Sequence, residues 1–179
     1  MHVEQNATLP NIITVEQAKT LDGLFRERVR RSPQKAAYHY FNSTCEEWNS
    51  YTWEQMYQSI ARWQAALSKE ALVPGDRVAV MMRNCPEWVM FEQAALGLGL
   101  VVIPLYTEDR VENAAYVIND AKVKLLLLET LHQWHQFDAV REQIHGLQRI
   151  IMLRSFENSD MNLRDDVVVS TLATLSGPV

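Results

Sequence analysis

Five polar side chains stand where an open parallel sheet meets its ligands, beyond the carboxyl ends of its strands. Arg83 and Asn84 follow one apolar run, Tyr106 and Thr107 follow the next, and Arg110 lies just after. They are read as substrate-binding groups, with no catalytic, cofactor or metal role assigned.

Other residues offer more familiar chemistry and fit it less well. His132, His135 and Asp138 are spaced i, i+3 and i+6, a spacing that can clamp zinc, but a solvated helix face is the simpler reading. Cys85 falls in the first turn of a helix, where the dipole could lower a thiol pKa, but packing beneath a sheet is the simpler reading. Neither Cys85 nor Cys45 has a histidine near it in sequence. Arg26, Arg28, Arg30 and Arg31 close a helix, where cations complement the macrodipole; a phosphate or partner role is the alternative. Trp48, Tyr51, Trp53, Tyr57 and Trp63 read as core or subdomain interface, with an aromatic-lined pocket as the alternative. The one G-x-G, Gly97-Leu98-Gly99, ends a helix and precedes a strand, the reverse of the dinucleotide fingerprint. The stretch 170–177 (STLATLSG) is rich in hydroxyls but has no Lys and one Gly, so it lacks the makings of a phosphate cradle.

The elements that must position these groups follow from hydrophobic periodicity. Leu21, Leu24, Phe25 and Val29 predict a helix that stops near Pro33. The runs 36–41 and 48–53 predict a hairpin. Thr52 and Gln55 form a capping box opening a helix with an apolar stripe of Trp53, Met56, Tyr57, Ile60, Trp63 and Leu67. From Asp76 strands alternate with helices: strand 77–82, a nearly all-apolar helix 86–98 capped by Asn84 and Glu87, and strand 100–105. A helix carrying Val111, Ala114, Ala115 and Ile118 comes next, then strand 124–128. The last units are a helix capped by Thr130 and Gln133 and bearing Leu131, Trp134, Phe137, Val140 and Ile144, and strand 149–153. Apolar strands separated by helices indicate right-handed βαβ units and a parallel sheet. The fold expected is α/β, a distorted Rossmann-like parallel sheet flanked by helices and preceded by a β-hairpin, over residues 1–153. Residues 154–179 read as a linker with a short strand at 167–170.

Composition sets the outer bounds. The 179 residues are 47% hydrophobic and 22% charged, with 17 Lys plus Arg against 22 Asp plus Glu, a net charge of -5. That balance opposes nucleic-acid binding and attraction to anionic membranes. Two cysteines support neither a disulfide framework nor a four-thiolate zinc site. The longest apolar run, 94–105, is about half a membrane span, and residues 1–10 lack the pattern of a signal peptide. A reduced, cytoplasmic setting is expected, with peripheral association with the inner membrane left open.

Several stretches in order then become recognisable: Tyr51-Thr52-Trp53-Glu54-Gln55, Gly75-Asp76-Arg77-Val78-Ala79-Val80, Asn84-Cys85-Pro86-Glu87-Trp88, Ala94-Ala95-Leu96-Gly97 and Val101-Val102-Ile103-Pro104-Leu105-Tyr106. Together, from about Leu21 to Leu153, they resemble the start of the adenylate-forming (AMP-binding) superfamily of acyl-CoA synthetases, and look closest to bacterial long-chain fatty-acid–CoA ligases. The resemblance implies fatty acid, ATP with Mg2+, and coenzyme A as the parent's partners and cofactors. It implies acyl-adenylate formation followed by thioester formation. The family's Ser/Thr/Gly-rich loop ending in Pro-Lys-Gly, its Tyr-Gly-x-Thr-Glu segment and its catalytic lysine have no counterpart here, so no catalytic residue carries over. The expectation is an N-terminal fragment of such a ligase, inactive by itself, binding no cofactor tightly and self-associating through surface its missing part would cover. The alternative is a stand-alone α/β binding or interaction module without catalysis.

Overall fold

The computed structural model describes residues 11–43, 45–154 and the backbone of 168–171. Residues 1–10, most of the expected linker 154–179 and the rest of the hydroxyl-rich stretch lie outside the described residues.

Two short helices lead in. Helix α1 (Val15–Ala18) starts with a capping box of Thr14 and Gln17, and Thr20 caps α2 (Leu21–Arg31) by accepting from the Gly23 amide. Only Phe25 and Val29 of α2 are buried. Leu21 and Leu24, expected in the same stripe, are exposed. The physical reason is the width of the contact: α2 meets α3 and α4 along one narrow seam, which two of the four side chains reach.

Strands β1 (Ala36–Asn42) and β2 (Glu47–Thr52) pair antiparallel, giving the expected hairpin. Helix α3 (Trp53–Leu67) begins with the Thr52–Gln55 capping box that the sequence announces. Met56, Ile60, Trp63 and Leu67 of its expected stripe are buried and Trp53 partly so. Tyr57 instead faces solvent.

The main sheet comprises β3 (Arg77–Met81), β4 (Val101–Pro104), β5 (Val123–Leu128), β6 (Arg149–Met152) and β7 (Val168–Thr171), ordered β4-β3-β5-β6-β7. Its four adjacent pairings are all parallel. The short strand expected at 167–170 thus lies one residue further on and joins the sheet. Between the strands run α4 (Pro86–Gly97), α5 (Val111–Asp120) and α6 (Leu131–Gln136).

Alternation along each strand sorts the core into two layers. Val78, Val80, Leu125, Leu127 and Ile151 face α2, α3 and α4, packing on Phe25, Met56, Trp63 and Phe91. Ala79, Met81, Leu126, Leu128, Ile150 and Met152 face α5 and α6, packing on Ala115, Ile118, Trp134 and Phe137. With both faces covered, β3, β5 and β6 must be apolar on successive residues, and from Val78, Leu125 and Ile150 onward they are. Strand β4 differs, because it is the sheet edge: Val101 and Pro104 are exposed. Pro104, which has no N–H, blunts that edge against further pairing.

Two expectations about helix ends are corrected. Asn84 does not cap α4; the N-cap is Cys85, with no side-chain cap bond, and Pro86 occupies the first turn. Starting the helix at proline moves the cap one residue on, so Glu87 is out of register with Asn84 for a capping box. The helix opened by Thr130 and Gln133 is capped as expected but lasts only six residues. Phe137, Val140 and Ile144 still reach the core, through 3-10 turns at Phe137–Ala139 and Arg141–Gln143. A side chain needs a place in the core, and a tightened turn provides it as well as a regular helix does.

Gly97-Leu98-Gly99 terminates α4, as its place between a helix and a strand predicts. Leu100 N–H donates to the Ala95 carbonyl and Gly99 N–H to that of Leu96, with Gly99 at φ +72°, a Schellman closure. The missing side chain at Gly97 leaves room for the Gln64 amide of α3, which lies where a Cβ would be. At the opposite end of the sheet from the strand carboxyl ends, buried Asp76 accepts from Lys124 Nζ and from the Val73 amide, each at 2.9 Å. The Lys124 ammonium beside it, and then the Val73 N–H, hold the Asp76 carboxyl below its usual range. Together these bonds tie β3 to β5.

Candidate functional site

The ends of β3 and β4 open onto a cleft of about 360 Å³ lined by Met82, Arg83, Asn84, Trp88, Pro104, Leu105, Tyr106 and Thr107. Four of the five residues singled out in the sequence therefore meet in one place. Arg83 and Asn84 turn outward as soon as β3 ends, and Tyr106, 83% exposed, stands on the far wall. Arg110 does not line the cleft. It is exposed at the N-cap of α5, where Asp109 accepts from its backbone N–H at 2.8 Å. Residue 110 is the last before a helix, and the path of the loop takes it away from the strand end.

Strand order places a second opening beside this cleft, on the other side of the β3 end. From β3 the chain moves outward to β4, then crosses back to β5 on the other side of β3. The order reverses between β3 and β5, and α4 covers one face while α5 and α6 cover the other. Such a switch point leaves a crevice at the carboxyl ends of the strands. Glu129, the residue after β5, bridges it: its Oε1 accepts from Arg154 Nη2 and forms an ion pair with Arg83 Nε, each at 3.1 Å. The Glu129 side chain is 14% exposed, whereas those of Arg83 and Arg154 are 65% and 58% exposed. Sequence reasoning missed Glu129 and Arg154. Applying the strand-end rule to β5 and β6 as well would have named both, since each follows an apolar strand within two residues.

The other candidates resolve into structure. His132 and His135 are exposed, and Asp138 pairs with Arg141. Among the described residues no group of three His, Cys, Asp or Glu side chains is placed to hold a metal ion. The α2 arginines are paired within the helix: Arg26 with Asp22, and Arg30 and Arg31 with Glu27. Arg28 donates to the Asn11 carbonyl and Arg31 to that of Ile12, pinning the incoming chain. The aromatic group divides. Trp63 lies edge-on to Phe91 in the core, Trp53 bridges Phe25 and Tyr38, and Tyr51 stacks on Tyr40. Trp48 remains 72% exposed, touching Phe41.

Cys85 sits behind the cleft at the start of α4. Burial pushes its thiol up to about 11, overriding the helix dipole. A thiol at about 11 rather than 9.0 carries about a hundredfold less thiolate at pH 8, and the greater basicity of that thiolate recovers only about tenfold. Iodoacetamide labelling followed by mass spectrometry should therefore find exposed Cys45 modified about tenfold faster than Cys85. Equal rates at the two sites would contradict the burial of Cys85.

The sheet order, the two helical layers and the strand-end cleft define an open α/β domain with a parallel sheet covered on both faces. The profile of the AMP-binding family, described as "AMP-binding enzyme", matches residues 25–173, and the chain belongs to that family. Among curated relatives, the long-chain-fatty-acid–CoA ligase of Bacillus subtilis is 31% identical over 112 residues, 61% of this chain and 18% of that protein. Long chain acyl-CoA synthetase 2 of Arabidopsis thaliana is 26% identical over 59% of this chain and 16% of its own length. The nonribosomal peptide synthetase sidE of Aspergillus fumigatus is 29% identical over 66% of this chain and 5% of its own. The chain thus spans less than a fifth of each of these relatives. Among solved structures, the fatty acyl CoA synthetase of Mycobacterium tuberculosis superposes with a TM-score of 0.66 at 24% identity, over 75% of this chain and 26% of that one. The fold is therefore that of adenylate-forming enzymes.

Proposed function

We propose that this chain is the N-terminal subdomain of an ATP-dependent ligase that joins a long-chain fatty acid to coenzyme A in the cytoplasm. The observation carrying this reading is the family match across residues 25–173, with fatty-acid–CoA ligases among the relatives. Adenylation would convert a carboxylate, which has no good leaving group, into a mixed anhydride that a thiol can attack. The protein's part in such chemistry is positioning and charge stabilisation. Within this chain that part falls to the cleft formed by Arg83, Asn84, Tyr106 and Thr107, with Arg110 outside it. Mg2+ would arrive with the nucleotide's phosphates, its usual mode of binding, because the described residues provide no carboxylate cage for it. The chain alone is expected to lack activity and to self-associate through exposed apolar side chains such as Val15, Leu21 and Val101.

The test is an assay of the complete reading frame with ATP, Mg2+, coenzyme A and palmitate. AMP and pyrophosphate should appear in step with palmitoyl-CoA and only when the fatty acid is present, while the 179-residue chain forms none. Activation of an amino acid in place of any fatty acid would sink the long-chain reading and leave the adenylate-forming class intact.

A further inference from the structure

The cluster at the switch point holds two cations and one anion. Arg83 and Arg154 approach the same oxygen of Glu129 from different strands, each through a single nitrogen. Among the described residues Glu129 is the only carboxylate either guanidinium touches, so within this group of three side chains two positive charges share one negative charge. Both guanidinium groups lie mostly in solvent while the carboxylate is largely covered. Their remaining N–H donors are therefore open to solvent, and Arg83 also lines the cleft together with Asn84, Tyr106 and Thr107. Glu129 is itself held from behind: Gln133 Oε1 accepts from its backbone N–H at 2.8 Å, and the Arg154 N–H donates to its carbonyl at 3.1 Å. The carboxylate thus fixes two arginine forks side by side without using up their donors.

We propose that Arg83 and Arg154, spaced by Glu129, form a binding site for a phosphoryl oxyanion. A tetrahedral phosphate carries enough oxygens and enough charge to engage both forks at once. A second planar carboxylate would bring one charge and reach one fork. The site goes beyond the ligase reading and stands or falls separately from it, since it requires neither adenylation nor a fatty acid.

The experiment titrates the 179-residue chain with inorganic phosphate, pyrophosphate, AMP or acetate at fixed low ionic strength, following the arginine Nε–H signals by NMR and the melting temperature. Phosphate and pyrophosphate should shift the Arg83 and Arg154 signals saturably, with acetate at least about tenfold weaker. Arg83→Gln or Arg154→Gln should each weaken binding about tenfold or more. Arg83→Lys, which keeps the charge and the pair with Glu129, should lose a smaller part through loss of the fork. Glu129→Gln keeps an oxygen that both arginines can approach and removes only the competing charge, so phosphate should bind several-fold tighter, a sign that a purely structural ion pair would not give. AMP binding better than phosphate would identify the source as a nucleotide using the adjacent cleft, whereas equal affinities would identify free phosphate; either supports the site. Binding unchanged in both arginine variants, acetate matching phosphate, or weaker binding in Glu129→Gln would overturn it.

Discussion

Phe91→Ala should lower the stability of this domain by about 3–5 kcal/mol, among the largest losses a single truncation can cause. Phe91 is fully buried on α4, lies edge-on to Trp63 of α3 with ring centroids 5.8 Å apart, and packs beneath β3 and β5. Truncation removes the ring from two neighbours at once, the sheet below and the helix beside it. Neither can relax into the space, because the same cluster also holds Met56, Ile60 and Met90 against the sheet. An edge-to-face pair adds about 0.5–1.5 kcal/mol beyond area burial. Urea denaturation should move to a markedly lower midpoint with little change of slope, and the melting temperature should fall by about 10 °C. A loss below about 1 kcal/mol would mean that α4 does not pack on α3 as described.

Leu126→Asp should be more severe and should leave a signature in pH. Leu126 is fully buried in β5, between Ala79 of β3 and Ile150 of β6 in register, and faces α5 and α6. An ionised carboxylate there has no partner, at a cost of several kcal/mol against a total stability of about 5–15 kcal/mol. The introduced group would instead take up a proton in the folded state, raising its folded pKa above the unfolded value near about 3.9. Between those two values the native state binds more protons than the unfolded state, so stability must fall as pH rises. The variant should therefore be largely unfolded at pH 8 and recover measurable structure by circular dichroism near pH 5. A variant equally folded at both values would show that this position is not in the core.

Much of this fold could be read from the chain because its causes are local. Thr52 with Gln55 and Thr130 with Gln133 cap their helices as expected, since an N-cap and its N3 partner sit three residues apart whatever surrounds them. The strands β3, β5 and β6 announce themselves as unbroken apolar runs because two helical layers cover them. Gly97-Leu98-Gly99 marks a helix end because a left-handed residue is needed there. Expectations failed where a neighbour decided. Leu21 and Leu24 have the right spacing but no surface to meet, and Asn84 loses its capping role to a helix that begins at Pro86.

The candidate site divides the same way. Arg83, Asn84, Tyr106 and Thr107 could be found because polar residues directly after apolar strands must emerge at the carboxyl edge of a parallel sheet. Arg110 could not be placed, because the direction of a loop depends on what it packs against. That Glu129 and Arg154 close on Arg83 depends on strand order, and strand order is a property of the assembled sheet. Periodicity and short spacings within the chain are enough to set the elements, their order and the family resemblance. That β5 lies beside β3 rather than β4 is a property of the assembled sheet, and it brings to one crevice three charges that span some 70 residues of sequence. Side-chain alternation tells a strand which faces are buried, but it does not say which strand is its neighbour.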